Sequence, residues 1–192
     1  SMLVMSPTKL IAVRDPFGIR PLCMGRIGED YVFASETCAL DTVGAELVRD
    51  VKPGEIITLH HGKFTSDERF CSANTGACIF EHIYFARPDS VIDGQSVNES
   101  RVLTGKLLAK QHPVDADLVI GVPDSGLSSA IGYSMGSGIP FGLGLVKNRY
   151  IGRTFIQPSQ SQRERSVALK LNVLKSNVAG KRVIMVDDSI VR

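Results

Sequence analysis

Tryptophan is absent from the sequence, and aromatic residues make up only 6% of its 192 residues. No uninterrupted apolar run is long enough to span a bilayer, and the N-terminus lacks the basic and then apolar layout of a secretory signal. Neither sign of charge dominates, because 22 basic side chains stand against 20 acidic ones. These absences argue against a membrane or a nucleic acid as partner, and they favour a cytoplasmic location.

Cysteine is scarce as well, and the four thiols belong to Cys23, Cys38, Cys71 and Cys78. Their number is even, but a chain of this size without a secretory signal does not indicate a disulfide framework. The hydrophobic fraction of 43% is enough for a sizeable core, and the length allows one or two domains.

The most informative stretch is residues 183–192, which read VIMVDDSIVR. Its first four residues are apolar and predict a strand buried on both faces, as in a parallel sheet. Asp187 and Asp188 follow at the carboxyl end of this strand, where open α/β sheets bind their ligands. The two carboxylates can hold ribose hydroxyls and Mg²⁺, and Ser189 begins a turn whose N–H groups can face a phosphate. A buried strand that ends in an ordinary Asp/Ser helix cap is an equally open alternative.

Residues 118–122 predict a second buried strand, followed by a tight turn at 123–126 and a helical stretch over 127–135. A helix N-terminus after a glycine-containing turn gathers free N–H groups and favours a phosphate. Residues 141–146 predict a third strand, interrupted by two glycines. Ser96 to Glu99 fits a capping box that begins a helix ending near residue 111.

A long basic segment follows the third strand. Only Glu164 is acidic between residues 147 and 170, while the basic residues there are Lys147, Arg149, Arg153, Arg163, Arg165 and Lys170. A loop of about twenty residues is uncommon inside a compact domain and is typical of lids over active sites. A solvated surface loop is the alternative.

The first seventy residues alternate short apolar runs with turn signals, which predicts an antiparallel meander. Arg14, Asp15 and Arg20 frame one of these turns, and we interpret them as ion-pair and turn residues rather than catalytic ones. The small polar residues between Cys71 and Gly76 mark the predicted domain boundary.

Several of these segments together resemble one family. Residues 183–192 resemble the phosphoribosyl pyrophosphate (PRPP) motif of type I phosphoribosyltransferases, and they are most similar to that of the glutamine PRPP amidotransferases. This family joins an N-terminal-nucleophile glutaminase to a phosphoribosyltransferase. Residues 11–22 resemble the late part of its glutaminase domain, residues 84–90 resemble its interdomain signature, and residues 147–155 resemble its flexible loop.

The resemblance implies an α+β fold followed by an α/β fold. Residues 1–75 would be the antiparallel, β-rich C-terminal part of the glutaminase domain. Residues 76–192 would be the N-terminal part of a phosphoribosyltransferase domain with a parallel sheet. It also implies an internal fragment, because the family's nucleophilic cysteine would precede Ser1 and its phosphate-binding turn would continue beyond Arg192. By itself the chain is therefore expected to be inactive.

The implied reaction transfers ammonia from glutamine to C1 of PRPP and releases pyrophosphate. Its product is 5-phosphoribosylamine, the first intermediate of de novo purine synthesis. The resemblance assigns PRPP binding to Asp187, Asp188, Ser189, Lys147, Arg149 and Arg153, and the Mg²⁺ site to Ser125 with both aspartates. The family often has glutamate where this chain has Asp124, so the acid here is one methylene shorter.

Cys78 has two interpretations. A single cysteine among apolar neighbours is usually a small core residue. One branch of the family, however, holds a 4Fe–4S cluster with one thiolate at the matching position, which implies that Cys78 is a cluster ligand in the full-length parent. The implied partners are PRPP and glutamine, and the parent is expected to be a homo-oligomer.

Two other functions stay open at this point. One is another type I phosphoribosyltransferase, such as a salvage or pyrimidine enzyme, and the glutaminase-like first third argues against it. The other is a non-catalytic PRPP-binding module.

Overall fold

The computed structural model describes residues 1–150 and 169–190, which belong to two compact units divided between Asn98 and Glu99. The division lies later than the domain boundary predicted at residue 75. Residues 76–98 belong to the first unit because long-range polar contacts hold them there. Arg14 pairs with Asp93, for example, and the Ser90 hydroxyl donates to Glu36 over 2.9 Å. Of the predicted site residues, Arg153 lies outside the described residues.

The first unit is built from short antiparallel strands. Its elements are β1 Met2–Met5, β2 Lys9–Val13, β3 Cys23–Ile27, β4 Asp30–Ala34, α1 Thr37–Val43, β5 Glu46–Asp50, β6 Ile56–His60, β7 Lys63–Asp67, a π-helix Glu81–Phe85, β8 Val91–Ile92 and β9 Gln95–Ser96. The strand orders are β1-β2-β6-β7 and β4-β3-β5, and β8 pairs with β9. All of these pairs are antiparallel, as predicted. The strands do not form one simple meander, because β2 pairs with β6 and β3 to β5 form a separate sheet.

Arg14 is the largest fully buried side chain in this unit. Its guanidinium donates to both carboxylate oxygens of Asp93 over 2.7 and 2.8 Å, and to the Val51 carbonyl over 2.7 Å. Asp15 accepts the N–H groups of Phe17 and Ile19 and so closes the turn that follows it. The structural interpretation of Arg14 and Asp15 is confirmed.

Arg20 lies in a second polar contact of this unit. Its Nε is 2.6 Å from an oxygen of the buried Glu81, and its guanidinium carbon lies 4.8 Å from the centre of the Phe85 ring. Arg20 thus anchors the π-helix to the turn at residues 15–18.

Glu55 is a fully buried carboxylate whose charge is compensated locally. Arg49 donates to both of its oxygens over 2.6 and 2.7 Å, and the Ser66 hydroxyl and the Lys52 N–H donate over 2.6 and 2.8 Å. Burial opposes ionisation, but these hydrogen bonds outweigh it and lower the pKa of Glu55 to about 2. The ionised form of Glu55 therefore stabilises the fold.

The second unit contains a parallel strand pair. Its elements are α2 Val97–Gln111, whose first two residues belong to the first unit, β10 Leu118–Gly121, α3 Leu127–Ser137, β11 Leu145–Lys147, β12 Leu171–Val173, α4 Lys175–Val178 and β13 Val183–Val186. β10 pairs in parallel with β13, and β11 pairs antiparallel with β12. The predicted strands at 118 and 183 and the predicted helices at 97 and 127 are confirmed.

Two details of these strand predictions are wrong. Met185 is 63% exposed, so β13 is not buried on both faces. Successive side chains of a strand point to opposite faces, and the next residue, Val186, is buried on the other face. The predicted strand at 141–146 is also divided, because Phe141 forms an isolated bridge to Val119 and β11 begins only at Leu145.

Helices α2 and α3 pack through glycines. A Cβ atom at Gly105 would lie 1.9 Å from the Ser129 carbonyl oxygen, and one at Gly132 would lie 2.0 Å from the Val102 carbonyl oxygen. The two backbones are therefore in direct contact at these positions. Among the described residues, no helix is both long and apolar enough to cross a membrane.

We expect Gly132→Ala to lower the free energy of unfolding by about 1 to 3 kcal/mol, because the added methyl group overlaps the backbone of α2. Alanine by itself favours a helix by about 1 kcal/mol over glycine, so a net loss reports the clash. Chemical denaturation measures the change. Gly136→Ala is the matched control and should cost less, since a Cβ there would lie 3.0 Å from the Lys106 carbonyl oxygen, a tight contact but not an overlap. Equal effects of the two substitutions would contradict the proposed close packing.

We also expect the stability contributed by Glu55 to depend on acidity. The pKa of Glu55 is lower in the folded chain than its ordinary value of 4.5. Its contribution is therefore complete above about pH 4.5 and is lost as the pH falls towards 2. Glu55→Gln should destabilise the chain at neutral pH, and the difference should shrink in acid. Glu29→Gln, at a carboxylate that is 95% exposed, is the control and should change little. A Glu55→Gln deficit that does not vary with pH would refute this account.

Candidate functional site

The candidate site lies where β10 and β13 end side by side. The parallel register pairs Gly121 with Val186, and the Val122 N–H donates to the Val186 carbonyl over 2.9 Å. The loops that follow the two strands therefore begin at the same edge of the sheet. The turn at 123–126 and the triplet at 187–189, which lie more than sixty residues apart in sequence, begin at this common edge.

Close backbone packing shapes the loop after β10. Gly126 accommodates the end of β13, because a Cβ atom at this position would lie 2.5 Å from the Val186 carbonyl oxygen. Its N–H donates to the Val122 carbonyl over 2.9 Å, and the peptide bond between Pro123 and Asp124 is cis. α3 begins immediately after Gly126, so its N-terminus lies at the same edge. Ser125, half-buried, occupies the middle of this turn.

Asp187, Asp188 and Ser189 form a bend in which neighbouring residues are hydrogen-bonded. The Asp188 N–H donates to the Asp187 carboxylate over 2.8 Å, and the Ser189 hydroxyl donates to the Asp188 carboxylate over 2.5 Å. Partial desolvation raises the pKa of Asp187; the hydrogen bond from Asp188 opposes this rise and the Asp188 charge adds to it. Asp187 and Ser189 are exposed and Asp188 is half-buried, so ligands can reach all three.

Lys147 is the predicted cation that the structure brings to this edge. It is the last residue of β11, and its ammonium group forms an ion pair with the Asp124 carboxylate. The Asn148 N–H donates to the Lys170 carbonyl over 2.7 Å, which extends the pairing of β11 and β12 by one residue. Arg149 is exposed two residues beyond Lys147. The predicted lid as a whole stays a prediction, because residues 151–168 are outside the described ranges.

Two features of this edge were not predicted from the sequence. One is the contact between Asp124 and Lys147, since no spacing rule relates residues 23 positions apart on different elements. The other is the requirement for glycine at position 126. The turn signal at 123–126 pointed to this glycine, but it did not identify the carbonyl of β13 as the group that requires it.

Cys78 lies in the first unit and is half-buried, and its N–H donates to the Ile19 carbonyl over 3.2 Å. Within residues 1–150 and 169–190, no three His, Cys, Asp or Glu side chains are grouped as metal ligands. The cluster-ligand role of Cys78 therefore stays a prediction about a longer protein.

Comparison with known proteins identifies relatives of this chain. No family model matches the chain. Its curated relatives include amidophosphoribosyltransferases from Archaeoglobus fulgidus, 53% identical over 192 residues, from Synechocystis, 54% identical over 195, and from Bacillus subtilis, 52% identical over 192. These matches cover all of this chain but only 42%, 39% and 40% of the relatives.

Solved structures agree with these relatives. The glutamine PRPP amidotransferase from B. subtilis complexed with ADP and GMP matches with a TM-score of 0.87 at 53% identity, over 98% of this chain and 42% of that one. A structure described as the allosteric regulatory enzyme of purine biosynthesis matches with a TM-score of 0.88 at 54% identity, over 99% of this chain and 41% of that one. Over its whole length, the chain is therefore homologous to a part of the amidophosphoribosyltransferases that makes up about two fifths of those proteins.

Proposed function

We propose that this chain carries much of the PRPP-binding site of an amidophosphoribosyltransferase. The parent enzyme transfers ammonia from glutamine to C1 of PRPP and forms 5-phosphoribosylamine and pyrophosphate. The convergence of two loops at the carboxyl ends of β10 and β13 carries this proposal, because the turn at 123–126, predicted to favour a phosphate, and the predicted PRPP motif thereby meet at one edge. The identity above 50% over the whole chain supports it.

The chemistry divides between the two loops. When the bond from C1 to pyrophosphate breaks, positive charge develops on the ribose ring and negative charge on the leaving group. In our proposal Asp187 and Asp188 hold the ribose hydroxyls, and Ser189 begins the turn that binds the 5′-phosphate. The cations that cover the pyrophosphate are Lys147, Arg149 and Arg153. Lys147 already lies at this edge through its contact with Asp124.

The donor atoms at this edge fit Mg²⁺. Asp187, Asp188 and Ser125 offer carboxylate and hydroxyl oxygens, and Mg²⁺ is commonly held by one or two carboxylates together with substrate phosphates. When bound, Mg²⁺ would neutralise part of the charge on the leaving pyrophosphate. Each aspartate carboxylate also accepts one hydrogen bond from the next residue, Asp187 from the Asp188 N–H and Asp188 from the Ser189 hydroxyl.

The remaining assignments extend the proposal to the parent protein. Residues 1–75 would be the end of its glutaminase domain, and residues 76–192 would begin its phosphoribosyltransferase domain, with residues 76–98 packed into the first unit of this chain. Glutamine would be the second substrate, the assembly would be a homo-oligomer, and the compartment would be the cytoplasm. No membrane or nucleic acid enters this function.

We predict that Asp187→Asn and Asp188→Asn each lower PRPP turnover by the full-length parent by about a hundredfold, the scale of losing one preorganised electrostatic contact. Steady-state assays of pyrophosphate release measure this loss. Thermal unfolding should be unchanged, since these side chains lie outside the apolar core. Asp115→Asn is the matched control, because it removes the same charge at the amino end of β10, where Asp115 pairs with Arg182. If the two site variants unfold but keep their specific activity, the aspartates are helix caps instead.

A separate prediction concerns Cys78. We expect the full-length parent, purified without oxygen, to contain iron and sulfide, and we expect Cys78→Ser to lose most of both, because a four-thiolate cluster loses one of its ligands. Cys71→Ser is the control and should keep the cluster. An iron-free parent, or a Cys78→Ser variant with full iron content, would show that Cys78 is a small core residue and not a cluster ligand.

A further inference from the structure

The ion pair between Asp124 and Lys147 links two loops at the candidate site. Asp124 lies in the turn that follows β10, and Lys147 is the last residue of β11. The side chain of Asp124 is 73% exposed and that of Lys147 is 32% exposed. An ion pair with so exposed a carboxylate contributes little to the stability of a fold, so stability alone does not explain why these two groups meet here.

The pair changes the charge that an incoming anion encounters. Lys147 is the cation that the structure places at this edge, and its charge is compensated by Asp124. Asp187 and Asp188 add two more carboxylates after the neighbouring strand. The Asp124 carboxylate therefore competes with any anionic group that approaches Lys147, and it also repels that group. A pyrophosphate group carries several negative charges against one on Asp124, so it is the stronger partner in this exchange.

We propose that Asp124 is a positioning residue that holds Lys147 at the edge of the sheet until the pyrophosphate group of the ligand replaces it. The ligand takes over the ammonium group, and Asp124 is released to solvent. Asp124 thereby lowers the affinity for the anion. The inference rests on the proposed function, since it takes pyrophosphate as the group that Lys147 meets.

Calorimetric titration of this chain with inorganic pyrophosphate in the presence of Mg²⁺ tests the exchange. Asp124→Asn keeps the shape of the side chain but removes its charge, and we expect it to bind pyrophosphate about threefold to tenfold more tightly. Asp124→Glu keeps the charge and should bind pyrophosphate about as tightly as the unsubstituted chain. Asp115→Asn removes a carboxylate at the opposite end of β10 and should leave the affinity unchanged.

A double-mutant cycle shows whether the effect passes through Lys147. Lys147→Gln should weaken pyrophosphate binding. When Asp124→Asn is added to Lys147→Gln, it should raise the affinity by less than half of the gain that it gives in the unsubstituted chain. High salt should reduce the gain, because exposed charges are screened. Thermal unfolding of each variant confirms that it is folded.

The outcomes are distinct. An equal gain in both backgrounds would make Asp124 a simple repulsive charge and would overturn the exchange. Unchanged or weaker binding by Asp124→Asn would overturn it as well. If the unsubstituted chain binds pyrophosphate and Lys147→Gln weakens that binding, the proposed site stands even when Asp124→Asn has no effect on the affinity. If neither the unsubstituted chain nor any variant binds pyrophosphate, the result would count against both the exchange and the pyrophosphate site.

Discussion

The parallel pairing of β10 with β13 is the interaction on which the candidate site depends. These strands are separated by more than sixty residues, and their hydrogen bonds place both carboxyl ends at one edge. At the opposite end, Arg182 donates to Asp117 over 2.8 Å and also pairs with Asp115, while the Asp117 N–H donates to the Arg182 carbonyl. Arg182 lowers the pKa of Asp117 to about 2. Asp117 and Arg182 thus join the chain segments just before β10 and β13 begin. A slip in the register of these strands would separate the turn at 123–126 from residues 187–189.

Glycine allows the loops and helices around this pair to approach closely. Gly126 accommodates the Val186 carbonyl at the candidate site, and Gly105 and Gly132 bring α2 and α3 into backbone contact. A side chain at any of these positions would push an element outward by more than a rotamer change can absorb. The geometry of the edge therefore depends on residues that have no chemistry of their own.

Charged groups have different roles in the two units. Arg14 and Glu55 are buried, and each is held by several hydrogen bonds, so their charges serve the fold. Asp187 and Asp124 are exposed and Asp188 is half-buried, and their hydrogen bonds and ion pair come from nearby groups at the same edge. Burial with complete pairing makes a charge structural, whereas exposure at a strand end leaves a charge available to a ligand. This contrast distinguishes the structural Arg14 from the candidate ligands, although all are charged residues beside turns.

Local patterns in the sequence determined the strands at 118 and 183, the helices at 97 and 127 and the antiparallel character of the first seventy residues. These features follow from apolar periodicity, caps and turn residues, which act over a few positions. The sequence also singled out Asp187, Asp188 and the turn at 123–126, because each directly follows a strand. Only the tertiary structure decided that Met185 is exposed, that residues 76–98 join the first unit and that Asp124 meets Lys147. Each of these depends on contacts between distant parts of the chain, and such contacts leave no periodic signal in the sequence.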